Sequence, residues 1–362
     1  MSMFYNQGIG IAGIACAVPD NHVLVESFIP VFGEDVVNKF SAGTGIRATY
    51  KALQEQTASD LAVAAAEELF AHIKVNPFEI GAMFLVTQSP DYRRPSSASV
   101  VQLRLNLPID CTCMEINLGC SGFVYGLQTA MAMMACADYK YALLLLGETA
   151  TKLVDPLDKS IVMMYGDAGA AILLERKEGV KTRTLLRSDG SRYKSIVLPA
   201  GGFRDMNPGH ERFVCSDGIE RSLYDIFMDG TSVFSFSISD VPQAISDYLK
   251  LTGTTVLDYN AFVFHQANQF IIKQLIRKLK LPKEQVPLTL DRYGNTGGVS
   301  IPLTICDAFG DKSGDIVRGL VCGFGIGLSW GVANIVIETD TVCPIIKTKD
   351  YYKEGRFIPG NY

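Results

Sequence analysis

A cysteine, a histidine and an asparagine, three residue types that serve acyl transfer, each stand beside a predicted secondary-structure element. Cys120 lies in the tetrapeptide Gly-Cys-Ser-Gly, and Asn295 occupies the matching position of Gly-Asn-Thr-Gly in the second half of the chain. Between them, His265 follows the apolar run Ala261–Phe264. A thiol can hold an acyl group while an imidazole and a carboxamide stabilise a developing negative charge. We therefore predict an acyltransferase that forms carbon–carbon bonds.

The predicted nucleophile is Cys120, at the start of an apolar helix. The glycines on either side, Gly119 and Gly122, permit a sharp strand-to-helix turn and close approach of a substrate. Because the N-terminus of a helix lowers the pKa of a thiol, we expect a reactive thiolate here. The helix is apolar on nearly every face, which predicts a central, buried position. The alternative is one more buried cysteine, and the duplicated turn favours the nucleophile.

The other two residues are predicted to handle the proton and the oxyanion. His265 ends a buried strand, where a side chain can project into a site at the edge of the sheet. Neutral imidazole can accept or donate a hydrogen bond there during proton transfer. Asn295 offers an amide donor but cannot become a base, so the pair suits an enolate. The alternatives are a satisfied core histidine and an asparagine that merely tolerates a turn beside glycine.

A glycine-rich segment, Gly-Phe-Gly-Ile-Gly at 323–327, follows a predicted strand. Its backbone N–H groups, with Ile326 as the donor, are predicted to complete an oxyanion hole with the N–H of Cys120. We expect Phe324 from this segment and Gly297 from the asparagine turn to bind substrate. The segment does not fit a nucleotide-phosphate loop, because no Gly-Lys-Ser/Thr follows it.

Short apolar runs alternate with helical patterns along the chain, which predicts an α/β fold with mainly parallel central sheets. The predicted strands are 8–16, 80–87, 111–116, 140–146, 168–174, 261–264, 316–322 and 328–337; the predicted helices are 59–73, 97–105, 120–137, 268–279 and 299–308. Each half follows the order turn, helix, strand, glycine-rich turn, strand. We infer two copies of one unit, residues 1–177 carrying the cysteine and 178–362 carrying the histidine and asparagine. Residues 187–217 are predicted to be loop or hairpin decoration.

Composition narrows the class of protein. The net charge of −5 and scattered lysines and arginines give no footprint for nucleic acid. No run reaches the roughly 18 apolar residues of a membrane-spanning helix, and no basic residue precedes the apolar segment at 8–18 as in a signal peptide. The nine cysteines lie mostly in apolar segments, as reduced thiols do. Cys111 and Cys113 lack the spacing and the histidine of a metal site. We expect a cytoplasmic protein without a metal.

Several segments in one order resemble the thiolase superfamily, and most closely its ketoacyl-acyl-carrier-protein synthase III branch. They cover most of residues 8–338: Thr-Gly-Ile-Arg at 44–47, Gly-Cys-Ser-Gly-Phe at 119–123, Gly-Asp-Ala-Gly-Ala-Ala at 166–171, His-Gln-Ala-Asn at 265–268, Gly-Asn-Thr at 294–296 and Trp-Gly at 330–331. The resemblance implies a duplicated five-layer αβαβα sandwich with two central mixed sheets, a homodimer, and no metal or bound organic cofactor.

The resemblance also implies a role for each of the three residues Cys120, His265 and Asn295. Cys120 would carry the acyl primer, while His265 and Asn295 promote decarboxylation of a malonyl thioester and stabilise the enolate. That enolate would attack the acyl group on Cys120, a decarboxylative Claisen condensation in fatty-acid or specialised acyl-chain biosynthesis. The substrates would be thioesters of coenzyme A or of an acyl-carrier protein.

Departures from the branch pattern concern the primer. Lys39 and Gly43 stand where the branch has a tryptophan and an arginine that clamp coenzyme A, which argues against an acyl-CoA primer. Before Pro95 the branch often has an aromatic residue that enters the partner's acyl pocket, and this chain has Arg93 and Arg94 there. In that pocket Arg94 would favour a polar or acidic acyl group; the alternative is a solvent-facing pair at the dimer rim.

A second set of departures concerns docking of the carrier protein. Phe270 replaces a basic residue that the branch uses for this contact. Arg277 and Lys278, on the same predicted helix, keep positive charge that an acidic carrier protein could use.

Competing functions remain open. A thiolase would need a second reactive cysteine, and Cys322 falls about one position early for that role. Synthases of the I/II branch need a second histidine where Asn295 stands, and type III polyketide synthases fit the His-Gln-Ala-Asn motif less well. Acyl transfer to an oxygen or nitrogen nucleophile could use the same acyl-Cys120. A cysteine hydrolase would have to admit water, and a non-catalytic binding homologue predicts a damaged triad, whereas this triad is intact.

Overall fold

A computed structural model describes residues 3–357 of the 362-residue chain. Within that range the strands are β1 Phe4–Pro19, β2 His22–Leu24, β3 Ala48–Tyr50, β4 Ile80–Val86, β5 Thr112–Ile116, β6 Tyr141–Glu148, β7 Ala168–Ser188, β8 Ile196–Val197, β9 Phe213–Val214, β10 Glu220–Arg221, β11 Phe227–Met228, β12 Ala261–Phe264, β13 Ile316–Gly325, β14 Ser329–Glu338 and β15 Ile346–Thr348. The α-helices are α1 Ile29–Phe32, α2 Glu34–Thr44, α3 Ala58–Ile73, α4 Ser97–Arg104, α5 Gly122–Cys136, α6 Gly230–Thr252, α7 Gln269–Leu279, α8 Leu290–Tyr293 and α9 Ser300–Phe309.

The central strands form a mixed sheet in the order β12-β13-β14-β7-β6-β4-β5, with β1 paired to β7 and β15 paired to β1. The pairs β4–β5, β4–β6 and β12–β13 are parallel, whereas β7 runs antiparallel to β1, β6 and β14. The sheet is therefore mixed, as the resemblance implied, rather than mainly parallel. The long strands β1 and β7 take part in both halves, so hydrogen bonds join the two expected sheets into one set of nine strands.

Three hydrophobic cores separate five layers. Helices α3 and α4 cover the outer face of the first-half strands, α5 and α9 lie in the middle, and α6 and α7 cover the second-half strands. Strand β6 shows the period-two pattern that holds the layers together. Leu144 and Leu146 face the middle helices, while Leu143 and Leu145 face α3 and α4. The five-layer αβαβα sandwich is confirmed.

The inferred repeat is visible in the order of the elements. The turn at 119–122 is followed by α5, β6, a glycine-rich turn and β7. The turn at 294–297, called the asparagine turn, is followed by α9, β13, a glycine-rich turn and β14. The proposed join at residues 177/178 falls within β7, so a division of the chain there would cut an unbroken strand. Residues 196–228 form two short antiparallel pairs, β8–β11 and β9–β10, so the decoration predicted for residues 187–217 begins later, after β7, and extends to residue 228.

Several elements were not predicted, and two of them, α6 and the second part of β7, are long. The 23-residue helix α6 begins at Gly230, where the Asp229 side chain accepts the N–H groups of Thr231 and Ser232. Its first turns are rich in serine, which hides the helical pattern. Strand β7 continues past the predicted end at residue 174 into a charged stretch, because β1 pairs with it there.

Candidate active site

Residues 119–122 carry the predicted nucleophile Cys120 and are called the nucleophile turn below. This turn lies between β5 and α5, and its closely packed backbone favours glycine. The N–H of Gly122 donates to the carbonyl of Gly119 at 2.7 Å and closes the turn. A Cβ atom on Gly122 would lie 2.6 Å from Cγ1 of the buried Val86, a branched side chain that has little room to move. Cys120 therefore precedes the first residue of α5 by two positions and keeps partial solvent exposure. The predicted strand-to-helix turn is confirmed.

The thiol of Cys120 faces the end of β13. A Cβ atom on Gly325 would lie only 2.7 Å from Cβ and 3.0 Å from Sγ of Cys120, so the loop approaches the nucleophile as closely as glycine allows. Backbone hydrogen bonds from Ile326 and from Cys120 itself act to lower the pKa of the thiol. These are the two N–H groups predicted for the oxyanion hole, and both lie beside the sulfur.

The resting thiol is nevertheless a weak acid. Burial raises the pKa of Cys120 to about 12, and the nearby Glu148 carboxylate pushes it in the same direction. The sequence-based expectation of a lowered pKa is therefore wrong. Desolvation of the charged form and a like charge outweigh the N–H groups at the helix start.

His265 lies directly after β12 and is almost fully buried. Its N–H donates to the carbonyl of Cys322 at 2.9 Å, and its Nδ1 lies 2.8 Å from Oγ of Ser300. The ring contacts Phe324 edge to face, with centroids 5.5 Å apart. Burial lowers the pKa of His265 to about 4, against a hydrogen bond with the Gly297 backbone that raises it. The imidazole is therefore neutral at physiological pH, as predicted.

Asn295 is held by its own backbone and by the turn that follows. Its N–H donates to the carbonyl of Met164 at 2.9 Å, and its carbonyl accepts the N–H of Gly166 at 3.1 Å. Its Oδ1 accepts the N–H of Gly297 at 3.0 Å. Within residues 3–357 the amide NH2 makes no hydrogen bond, so this donor end of the carboxamide is available to a substrate.

The two turns and the glycine-rich loop meet at one place. A Cβ atom on Gly298 would lie 2.8 Å from the carbonyl oxygen of Gly119, so the asparagine turn packs directly on the nucleophile turn. The glycine-rich segment 323–327, which includes the end of β13, contacts two of the predicted residues. Phe324 contacts His265, and Gly325 contacts Cys120. The segments that carry Cys120, His265 and Asn295, one from the first half and two from the second, thus lie next to one another.

Three further side chains at this point were missed by sequence reasoning. Ser300 holds the imidazole, the carboxyl of Glu148 acts on the thiol, and Tyr165 interacts electrostatically with both Cys120 and Glu148. Tyr165 and Asn295 also form an isolated backbone bridge. Ser300 could have been found from its position just after the asparagine turn, but nothing local marks Glu148 or Tyr165.

Three of the residues predicted to bind substrate or carrier protein, Arg94, Arg277 and Lys278, lie on the surface of the chain. Arg94 is exposed, and its guanidinium lies 5.8 Å from the ring centroid of Phe203. Arg277 is exposed on α7, and Lys278 on the same helix donates to the carbonyl of Ile238. Phe324 and Gly297, in contrast, lie at the site. A single chain therefore does not bring Arg94 to Cys120.

Two other features considered in the sequence were a metal site at Cys111 and Cys113 and a membrane-spanning helix. The sulfurs of Cys111 and Cys113 are 3.9 Å apart, and no group of three histidine, cysteine, aspartate or glutamate side chains in residues 3–357 is placed to hold a metal. In the same part of the chain, no helix is both long enough and apolar enough to cross a bilayer.

Known proteins resemble this chain in both sequence and fold. The family models described as 3-oxoacyl-acyl-carrier-protein synthase III and its C-terminal region match residues 114–190 and 249–337. Beta-ketoacyl-acyl-carrier-protein synthase III of Caldanaerobacter subterraneus is 33% identical over 79% of this chain and 85% of its own. The same enzyme of Symbiobacterium thermophilum is 32% identical over 89% and 96%. A 3-oxoacyl-acyl-carrier-protein synthase from Burkholderia xenovorans superimposes with a TM-score of 0.90 at 33% identity, covering 96% and 99%.

Proposed function

This chain belongs to the beta-ketoacyl-acyl-carrier-protein synthase III family of condensing acyltransferases, and we propose that Cys120, His265 and Asn295 carry out its reaction. The observation that carries this assignment is the packing of the Asn295 turn on the nucleophile turn, with one loop contacting both Cys120 and His265. The condensation joins an acyl primer to a two-carbon unit from a malonyl thioester.

In the first half-reaction the sulfur of Cys120 attacks the carbonyl carbon of the primer thioester. The N–H groups of Cys120 and Ile326 hold the oxyanion of the tetrahedral intermediate. The intermediate collapses with loss of the carrier thiolate, which takes up the proton that the cysteine gave up. Because the pKa of Cys120 is raised and that of His265 is lowered, the resting pair is neutral and the proton moves as the new bond forms.

In the second half-reaction a malonyl thioester binds with its carbonyl oxygen against His265 and Asn295. Both side chains donate hydrogen bonds to that oxygen, and the carbon–carboxylate bond breaks to release CO2 and leave an enolate. The enolate carbon attacks the acyl carbon on Cys120, the bond between that carbon and the sulfur breaks, and the released Cys120 thiolate takes up a proton from solvent, because its pKa is raised. A neutral imidazole is suited to this donor role because it stabilises the enolate without first having to be protonated.

In a homodimer, Arg94, which is predicted to select the acyl primer, would reach the active site of the partner. Strand β5 ends the sheet order, and within residues 3–357 it pairs only with β4, so its outer edge is open to another strand. The carboxylate of Glu115 in β5 accepts the N–H of Ser97, which ties this edge to the segment that contains Arg94. Pairing of a second copy along this edge would place the exposed Arg94 against its partner, where it would favour a polar or acidic primer.

Docking features favour a carrier protein over coenzyme A. Lys39 and Gly43 are exposed, and nothing lies within 4 Å of a Cβ atom on Gly43, so neither position supplies a clamp for an adenine ring. Arg277 presents its charge to solvent on α7, whereas Lys278 is already engaged by α6. We therefore assign Arg277 the larger part in binding an acidic carrier protein.

Mass spectrometry of the intact protein, after incubation with a panel of acyl-CoAs and acyl-carrier proteins, tests the assignment. The mass added to Cys120 identifies the primer, and release of labelled CO2 from a malonyl thioester reports condensation. Cys120→Ala should lose self-acylation with its fold intact, and Asn295→Ala should keep acylation but lose condensation. Acyl transfer to an oxygen or nitrogen nucleophile without CO2 release would instead support a non-elongating transferase. Loss of acylation in Asn295→Ala would overturn the assigned roles.

A further inference from the structure

A buried carboxyl group at the end of β6 influences the proposed nucleophile directly, because it raises the pKa of Cys120. Glu148 is 5% exposed and is the last residue of that strand. Its Oε1 accepts the N–H of Gln88 at 3.0 Å, and its Oε2 accepts the hydroxyl of Ser89 at 3.1 Å. The Ser89 hydroxyl oxygen in turn accepts the N–H of Thr149 at 2.9 Å. Both oxygens of the carboxyl group are therefore fixed in place.

The side chain of Glu148 packs against the residue that connects the two predicted donors. The three atoms nearest to a Cβ atom on Gly297 are Cγ, Cδ and Cβ of Glu148, at 3.1, 3.7 and 3.8 Å. Gly297 has a φ of +59° and donates its N–H to Oδ1 of Asn295, and its backbone also hydrogen-bonds with His265. Glu148 therefore supports the one backbone unit that orients both the carboxamide and the imidazole.

The charge of this carboxyl group matters to its neighbours. Burial raises the pKa of Glu148 to about 8, and Asp167 at the start of β7 pushes it in the same direction. A negative charge on Glu148 raises the pKa of Cys120 in the nucleophile turn and that of Tyr165 before β7. At neutral pH the protonated form predominates, so the group supports the Gly297 turn without placing a full negative charge beside the thiol.

We propose that Glu148 is a positioning residue for the condensation, and that it acts through the Gly297 turn to align Asn295 and His265 on the malonyl thioester. This inference rests on the proposed function, because it assumes that those two side chains serve the second half-reaction. The nucleophile turn reaches its own geometry through Gly119, Gly122 and Gly325, so self-acylation of Cys120 depends less on this support.

The first test separates the two half-reactions in Glu148→Ala and Glu148→Gln. Glu148→Ala should keep self-acylation within a few-fold and lose about 100-fold in condensation, the loss expected when reacting groups move by roughly 1 Å. Glu148→Gln keeps the shape and one acceptor oxygen, so it should recover most of that loss. The matched control is Asp258→Ala, which removes a carboxyl group that also accepts one backbone N–H and one hydroxyl, at the opposite end of β12 from His265.

Condensation at the wild-type rate in Glu148→Ala would overturn the proposal, as would an equal fall of acylation and condensation. Asn295→Ala and Cys120→Ala are measured beside these variants. If Asn295→Ala still condenses, the proposed function fails; if Asn295→Ala behaves as expected and Glu148→Ala is unimpaired, only the role of Glu148 fails.

A second test holds even if Glu148→Ala does not fold. The rate of Cys120 alkylation by iodoacetamide is compared between wild type and Glu148→Gln at pH 6 and pH 9. At pH 9 the ionised carboxylate opposes the thiolate in wild type only, so the variant should react faster, by about tenfold if the effect equals one unit of thiol pKa. At pH 6 the two proteins should react alike. A ratio that is the same at both pH values would contradict the effect of the Glu148 charge on the thiol, and condensation by Glu148→Gln that falls as far as acylation would overturn the positioning role.

Discussion

Replacement of Gly325 by alanine tests how closely the last residue of β13 constrains the proposed nucleophile Cys120. The added methyl carbon would lie 2.7 Å from Cβ and 3.0 Å from Sγ of Cys120, whereas ordinary contact begins at 3.4 Å. Gly325 does not have a positive φ, so an alanine backbone is itself allowed there. The whole effect of Gly325→Ala should therefore come from this one contact.

The clash has a size that can be worked from these distances. Relief requires a movement of roughly 0.7 Å by the loop, by Cys120 or by both, the difference between 2.7 and 3.4 Å. Overpacking of this kind costs about 1–3 kcal/mol of folding free energy. Since the N–H groups of Cys120 and Ile326 must both meet the oxyanion, we expect self-acylation to slow by about 100-fold.

Two measurements check Gly325→Ala: urea unfolding for the free energy, and intact-protein mass spectrometry for the acylation rate. Gly190→Ala is the control, because nothing lies within 4 Å of a Cβ atom there and the φ is not positive. In a Cys120→Gly background the clashing atoms are gone, so the stability penalty should disappear. A penalty that persists in that background, or acylation of Gly325→Ala at the wild-type rate, would refute the reasoning.

Three more predictions concern the imidazole and the primer. Ser300→Ala leaves the buried Nδ1 of His265 without its partner at 2.8 Å, so unfolding by urea should show a loss of about 1–3 kcal/mol; an unchanged free energy would mean that this bond contributes nothing. The pKa of His265 is near 4 in the folded chain against an ordinary value of 6.5, so the unfolded chain takes up the proton first as pH falls. The stability advantage of wild type over His265→Gln should shrink between pH 6.5 and 4, and an advantage constant over that window would contradict the buried, neutral imidazole. Arg94→Phe should shift primer preference toward unbranched alkyl groups in the acylation panel, and an unchanged preference would remove Arg94 from the acyl pocket.

The parts of the fold that could be predicted are those in which burial dictates the sequence. Strands β4, β6 and β12 are almost wholly buried, so their apolar runs end within two residues of the predicted limits. The second part of β7 could not be predicted, because it carries exposed charged residues and is held by pairing with β1. Such pairing depends on residues far away in the chain, which local periodicity does not record.

The positions of the three proposed active-site residues could be read from the sequence because Cys120 and Asn295 stand in matching Gly-X-X-Gly turns, and because His265 follows a strand that burial makes recognisable. The acidity of the thiol could not. The helix-start rule considers only the N–H groups near Cys120, but the raised pKa comes first from burial and then from Glu148, which belongs to a different strand. A resting thiol with a pKa near 12 holds very little thiolate at neutral pH. Its reactivity must therefore arise when the thioester binds: the two N–H groups then meet an oxyanion, and the proton leaves the sulfur as the carbon–sulfur bond forms.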